Sequence, residues 1–393
     1  METNVARSGI IPSQDPADHH TIIIGAGPAG LAVGACLKRA GVPFLILEQS
    51  DRVGAAWHRH YSRLHLHTDK AHSTLPFVPF PKEVPRYPSR LQVIQYLEMY
   101  ARQFQLEPRF DQHVVAARRV NGVWEVQTEN TRYQAVNLVV AAGYNREPYL
   151  PHWPGQTSFR GTLLHSSQYR NGAPFKNRKV LVVGFGNSGG EIAIDLWEQG
   201  AQPSLAVRSP VNVIPRELFG IPILSLGIAL SKLPPRWVDA ATAPILRAVM
   251  GDLTRYGLRT LPRGPMSQIR RDARIPLIDV GTIDLIKQGR ITVRPGIERF
   301  TEEGVRFTDG SRRTFDAVIL ATGYRPRVNA FLEGASATYD ENGTPLTSGR
   351  EAAIPGLYFC GYDVSPTGML REIALEAQRI GDAISRKRAG AVG

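Results

Sequence analysis

Apolar and polar positions alternate along this chain in the rhythm of strands followed by helices, and the clearest case lies near the start. The β-branched run Thr21–Ile24 ends in a Gly-x-Gly-x-x-Gly turn, and Leu31–Ala40 then has the pattern of a helix. A second apolar run, Phe44–Leu47, follows and ends at the acidic residue Glu48. This order predicts a βαβ unit, and the complete unit is far more specific than its glycines alone.

The three glycines of this turn have different tasks in a dinucleotide-binding unit. Gly25 permits the tight turn, Gly27 lets a pyrophosphate approach the backbone, and Gly30 lets the helix pack closely on the strand. The helix N-terminus offers N–H groups and a partial positive charge to the phosphates. Glu48 lies about 20 residues further on, where it can accept hydrogen bonds from both hydroxyls of an adenosine ribose.

The pattern of strand, glycine turn and later strand occurs a second time. Lys179–Gly189 is a second strand with a glycine turn, and Leu205–Val207 is the strand after it. Phe315–Tyr324 echoes an earlier buried run, Val136–Tyr144, and both end in small residues followed by Gly-Tyr. Two copies predict two dinucleotide sites on one chain.

These repeats predict an α/β fold with two Rossmann-like domains, the second inserted into the first. Between the repeats we expect an amphipathic helix at Arg90–Phe104 and a hairpin at Val114–Glu129 that turns at Asn121-Gly122. The predicted boundaries are a disordered segment at 1–20, a first domain at 21–170 and 325–393, and a second domain at 171–324 with a helical insertion at about 211–266.

The two sites differ at the end of the second strand. The first site has Glu48 there, whereas the second has Arg208 and Ser209. An acid would repel a ribose 2′-phosphate, whereas Arg208 would pair with it and Ser209 could donate a hydrogen bond to it. The sequence therefore predicts FAD in the first site and NADPH in the second.

Composition narrows the classes of function. The 393 residues are 42% hydrophobic, with a net charge of +12, and the basic residues are spread thinly, so we expect no nucleic-acid partner. No apolar run approaches the ~20 residues that span a bilayer. The two cysteines, Cys36 and Cys360, argue against a dithiol reductase and for a reducing, cytoplasmic location. Five histidines lie between residues 58 and 72, but with few acids nearby we predict no metal site.

A further motif, Phe159-x-Gly161-x-x-x-His165-x-x-x-Tyr169, stands just before the second glycine turn. Together with both turns and Ala321-Thr322-Gly323-Tyr324, it resembles the flavin-containing monooxygenases, and most of all their YUCCA-like branch, the indole-3-pyruvate monooxygenases of auxin synthesis. The chain departs from the family at Gly54-Ala55-Ala56-Trp57 and has no asparagine matching the family's flavin-side residue near Thr68-Asp69.

The resemblance implies a cycle in which NADPH reduces FAD, dioxygen gives a flavin hydroperoxide, and one oxygen atom passes to a small-molecule substrate. It favours oxidative decarboxylation of indole-3-pyruvate to indole-3-acetate, or the same reaction of a related 2-keto acid. Oxygenation of soft nitrogen or sulfur atoms stays open. So does a non-catalytic flavoprotein, either a redox sensor or an electron-transfer protein.

Asn187 is the one candidate catalytic residue, as a polar group near the nicotinamide, whereas His165 and Tyr169 are expected to brace the linker between the sites. The insertion either covers the cofactor cleft or contacts a membrane surface weakly through residues 221–250, and a homodimer stays open. The predicted cofactor-binding residues are Gly25, Gly27, Pro28, Ala29, Gly30, Glu48, Gln49, Arg52, Trp57, His67, Val114, Ala142, Gly143, Gly184, Gly186, Asn187, Ser188, Gly189, Glu191, Arg208, Ser209, Ala321, Thr322, Gly323, Tyr324 and Gly361.

Overall fold

The computed structural model describes residues 20–392, so the predicted disorder at 1–20 falls outside it except for His20. The strands are β1 Thr21–Ile24, β2 Phe44–Leu47, β3 Val114–Val120, β4 Val123–Thr128, β5 Arg132–Ala135, β6 Asn137–Val140, β7 Glu147–Pro148, β8 Thr162–His165, β9 Lys179–Val183, β10 Gln202–Ala206, β11 Val213–Pro215, β12 Glu217–Leu218, β13 Ile221–Pro222, β14 Leu277–Asp279, β15 Thr292–Arg294, β16 Ile297–Thr301, β17 Gly304–Phe307, β18 Arg312–Thr314, β19 Ala317–Leu320, β20 Tyr324–Arg325 and β21 Leu357–Phe359. The α-helices are α1 Pro28–Arg39, α2 Ala55–Arg59, α3 Arg90–Gln103, α4 Asn187–Glu198, α5 Ile223–Leu230, α6 Pro235–Met250, α7 Pro265–Asp272, α8 Thr282–Lys287 and α9 Met369–Val392.

The first sheet consists of four parallel strands in the order β2-β1-β6-β21. Its strands are apolar at nearly every position because helices or loops cover both faces, and Ile22 and Ile23, which face opposite ways, are both fully buried. The last strand, β21, joins this sheet beside β6, and Ile380 of α9 packs into the same core as Leu31 of α1. The C-terminal part of the chain therefore returns to the first sheet.

The second sheet has five parallel strands in the order β15-β10-β9-β19-β8. The presence of β8 corrects the predicted boundary at residue 171, since Leu164 pairs with Ile319 and the second domain has begun before residue 162. This edge strand is only half-buried, so it lacks the continuous apolar run that marks the central strands.

The insertion also ends later than predicted. Strand β11 pairs in parallel with β14, Val213 opposite Leu277, so the inserted segment closes near residue 277 rather than 266. Between these strands lie α5, α6 and α7. Among the helices of residues 20–392, none combines the length and apolar character that crossing a membrane requires.

Each domain carries a small antiparallel sheet. The predicted hairpin forms β3 and β4, turns at Asn121 and Gly122, both with positive φ, and is extended by β5. The second domain has β16-β17-β18 in the corresponding place. The two domains are linked by crossing segments that run side by side, because β7 pairs antiparallel with β20.

Candidate active site

The first glycine turn joins β1 to α1 and leaves one face of the backbone open. Gly25 has a φ of +106°, and a Cβ there would lie 2.5 Å from the carbonyl oxygen of Ala141. A Cβ on Gly30 would overlap the carbonyl oxygen of Gly25. A Cβ on Gly27 would meet no protein atom within 4 Å, so the space beside this residue is available to a ligand. An open backbone face beside a helix N-terminus is the arrangement that binds a pyrophosphate in such units.

The second glycine turn, between β9 and α4, has the same division of roles. A Cβ on Gly184, whose φ is +115°, would overlap the carbonyl oxygen of Ala321, and one on Gly189 would overlap that of Gly184. Gly186 is the open position, with no atom within 4 Å of a Cβ. The two sites are therefore built alike, although they lie in different domains.

A small pocket beside the first turn brings together several residues predicted to hold FAD. Its lining includes Gly25, Glu48, Gln49, Val114 and Ala142. The Glu48 carboxylate also supports the turn itself, since it accepts hydrogen bonds from the backbone N–H of Ala26 (2.7 Å) and of Ser50 (2.9 Å).

Two predicted residues of this region are placed elsewhere, and six lining residues were not predicted: Ile24, Leu47, Gln112, His113, Arg146 and Phe331. The exposed Arg52 forms a two-pronged pair with Asp51 at 2.7 and 2.6 Å and is not part of the pocket lining. Trp57 is half-buried and packs against the core of the first domain. Arg146, which lines the pocket and lies 5.1 Å above the ring of Phe331, was missed, and its only signal was its place shortly after Gly143.

Strand β10 follows the second glycine turn and α4, and it ends where the sequence predicts the 2′-phosphate. Arg208 follows β10, its side chain is exposed, and it forms no ion pair with any residue that the structure describes. Its backbone carbonyl accepts a hydrogen bond from Arg259 (2.5 Å), which ties the segment down. An exposed guanidinium without an ion-pair partner suits a phosphate ligand.

The echoed Gly-Tyr segments also form open turns. Gly143 and Gly323 have φ values of +92° and +86°, and neither would bring a Cβ within 4 Å of another atom. The Gly323 carbonyl accepts from Nε2 of His165 (3.1 Å), and Thr322 donates to the carbonyl of Tyr149 (2.5 Å). His165 therefore braces the crossing segments, as the sequence predicts.

Tyr169, the other residue predicted to brace the linker, is held by a buried contact. The Tyr169 hydroxyl donates to Asp195 of α4 at 2.6 Å. In the C-terminal segment, the Gly361 N–H donates to Glu376 at 2.6 Å, and burial raises the pKa of that fully buried carboxyl. Of the other predicted residues, Pro28, Ala29 and Ser188 lie at helix starts, Ser209 follows β10, and Tyr324 begins β20.

A cavity of about 270 Å³ lies where the two domains, the insertion and the C-terminal segment meet. Aliphatic side chains of α5, α6 and α7 line much of one side, so the insertion covers a cleft, which is one of the two predicted roles. Asn187, the first residue of α4, lies at its edge, and its Oδ1 accepts from the N–H of Ile278 (2.8 Å). The polar residues His67 and Thr68 also line it.

Two carboxylates supply the charge of this cavity wall. Asp239 accepts from the N–H groups of Met266 and Ser267, both at 2.9 Å, and so caps α7. Burial, together with the nearby Glu372, raises the pKa of Asp363. Lysine and arginine do not occur among the lining residues of the described chain.

His67 and Glu191, both predicted to bind a cofactor, contact each other across the domain interface. The Glu191 side chain is 2% exposed, and its second oxygen lies 3.7 Å from the Arg63 guanidinium. Within residues 20–392, no group of three or more histidine, cysteine, aspartate or glutamate side chains is arranged to hold a metal ion.

The chain is similar to several known proteins. A family profile described as pyridine nucleotide-disulphide oxidoreductase matches residues 22–214. The probable indole-3-pyruvate monooxygenase YUCCA1 of Arabidopsis thaliana is 41% identical over 88% of this chain and 85% of its own length. The indole-3-pyruvate monooxygenase YUCCA1 of Oryza sativa subsp. japonica is 42% identical over 82% of this chain and 80% of its own.

The chain belongs to the flavin monooxygenase family, in its YUCCA-like branch. The fold agrees, since a flavin-containing monooxygenase from Stenotrophomonas maltophilia aligns with a TM-score of 0.72 at 23% identity, over 94% of this chain and 98% of that one. FAD and NADPH are the cofactors of this family, and the open positions at Gly27 and Gly186 fit their two pyrophosphates. The disulphide oxidoreductase profile covers the shared nucleotide-binding fold, while Cys36 and Cys360 are free and buried here.

Proposed function

We propose that this flavin monooxygenase uses NADPH and dioxygen to decarboxylate indole-3-pyruvate oxidatively, giving indole-3-acetate. The observation that carries the proposal is the identity of about two residues in five, across both nucleotide sites, with relatives named for this substrate. One oxygen atom of dioxygen enters the new carboxylate and the other leaves as water. The bond between the keto carbon and the old carboxylate breaks, carbon dioxide is released, and NADPH supplies two electrons.

The chain's own residues would bind, orient and shield the reactants. FAD would lie against Gly27 with its ribose near Glu48, and NADPH against Gly186 with its 2′-phosphate near Arg208. Bound FAD supplies the activation of dioxygen. The aliphatic cavity walls would exclude water and take the apolar indole ring, while His67, Thr68 and Asn187 offer hydrogen bonds to its polar end.

One feature of the cavity favours a second function, the N-oxygenation of an amine. The charged residues among the cavity-lining side chains are the carboxylates Asp239 and Asp363, and an amine cation would be attracted to them. A substrate carboxylate would have to rely on neutral donors in the same cavity.

Product analysis separates the two functions. The purified yellow protein is given NADPH and isotopically labelled dioxygen with indole-3-pyruvate, a tertiary amine or a thioether. We expect indole-3-pyruvate alone to give a labelled carboxylic acid, with NADPH consumed in proportion. An amine oxide with no indole-3-acetate would establish the second function, and hydrogen peroxide alone with every compound would contradict both.

A further inference from the structure

A second concave site lies along the second sheet, beside its edge strand β15. It is a cavity of about 520 Å³ between the starts of β9 and β10, strand β15 and the edge of the small sheet that contains β18. Its lining includes four basic side chains, Lys179, Arg290, Arg294 and Arg313. Arg294 ends β15 opposite Ala206, whereas Lys179 begins β9, and neither Gly184, Gly186 nor Arg208 is among the lining residues.

These four cations have no acidic partner. None of them lies within 4.0 Å of a carboxylate among residues 20–392. The nearby Asp309 carboxylate instead accepts from the N–H and hydroxyl of Ser311, at 2.9 and 2.7 Å. Arg313 donates to the backbone carbonyl of Arg312.

Arg294 is the residue that marks the cavity as more than a basic surface. Its Nε is buried and has no hydrogen-bond partner in the described structure. Burial and the neighbouring Arg313 both lower the pKa of its guanidinium. A buried donor without a partner and two like charges facing each other are each unfavourable, and a bound anion would relieve both.

We propose that this cavity binds a phosphate-bearing small molecule, whose anionic group contacts Arg294 and Arg313. The planar guanidinium fork matches phosphate oxygens, and charge-assisted hydrogen bonds of this kind are the strong ones. The cavity volume lies within the range of small-molecule sites. Trp197, whose side chain is 37% exposed at the same cavity, offers an apolar face to the remainder of such a ligand.

The test is calorimetric titration of inorganic pyrophosphate into the full-length holoprotein, with saturating NADP⁺ present to fill the site at Arg208. We expect saturable binding of one equivalent, weakened at least tenfold by Arg294→Gln and by Arg313→Gln. Arg299→Gln removes the same charge from β16 of the same small sheet, outside the cavity lining, and should leave the affinity unchanged.

Each outcome decides the proposal. If the wild-type protein does not bind pyrophosphate, the proposal is overturned. Equal weakening by all three variants also overturns it, because the loss of one positive charge anywhere on the protein would then explain the change in affinity. Because Arg294 is partly buried, the exposed Arg313 provides the variant that tests binding if Arg294→Gln fails to fold. The result is independent of the monooxygenase assignment, since no turnover is measured.

Discussion

The imidazole Nε2 of His67 contacts the carboxylate Oε1 of Glu191, a residue 124 positions further along the chain. His67 lies in the loop region that follows the first βαβ unit, and Glu191 lies in the first turns of α4, directly after the second glycine turn. The pair therefore joins the two nucleotide-binding domains at the edge of the aliphatic cavity of about 270 Å³, which His67 also lines.

Breaking this pair should destabilise the protein through the charge that is left behind. His67→Ala removes the closer of the two partners of the buried Glu191 and leaves only Arg63, 3.7 Å away, so we expect the free energy of unfolding to fall by about 2 kcal/mol. Adding Glu191→Ala should restore part of the loss, because the buried carboxylate is then gone. Urea unfolding of both single variants and the double variant measures this, and strictly additive losses would show that the contact contributes nothing.

The open glycine positions should separate cofactor binding from folding. Gly27→Val adds a side chain where no protein atom lies within 4 Å, so we expect a folded but colourless protein. Gly186→Val is the matched variant in the second site and should keep its yellow flavin while losing affinity for NADPH. The absorption spectrum after purification reports flavin, and circular dichroism reports folding. Normal flavin content in Gly27→Val would refute the assignment of the first site.

Arg208 should determine the preference for NADPH over NADH. Its removal as Arg208→Ala deletes a charge-assisted pair with the 2′-phosphate worth ~1.5–3 kcal/mol, so the KM for NADPH should rise about 10- to 100-fold while that for NADH changes little. Steady-state kinetics with both coenzymes measures the ratio, and Arg299→Ala, an exposed arginine on β16, is the control. Equal changes for both coenzymes would mean that Arg208 does not contact the 2′-phosphate.

The two thiols should be inert in the folded protein. Burial raises the pKa of Cys36 to about 12 and holds that of Cys360 well above its usual value, so the reactive thiolate is scarce at pH 8. We expect a disulphide reagent such as Ellman's to detect no thiol in the native state and two in guanidinium chloride. Rapid reaction of a native thiol would contradict this prediction and would support the dithiol chemistry that the cysteine count argues against.

The sequence by itself determined the two nucleotide-binding units and their order. The reason is that their constraints are local: Gly25 and Gly184 need a positive φ, and Gly30 and Gly189 must lack a Cβ where the helix packs on its own turn. Such requirements leave a readable pattern within a dozen residues. The predicted boundary at 171 was wrong because β8 is an edge strand with little apolar signal.

Only the tertiary structure decided how the remaining residues combine. The contact of His67 with Glu191, the cavity that the insertion closes over Asn187, and the cluster of four cations that includes Arg294 join residues far apart in sequence. Side chains on separate elements meet according to how those elements pack, and no periodicity along one strand or helix encodes that arrangement.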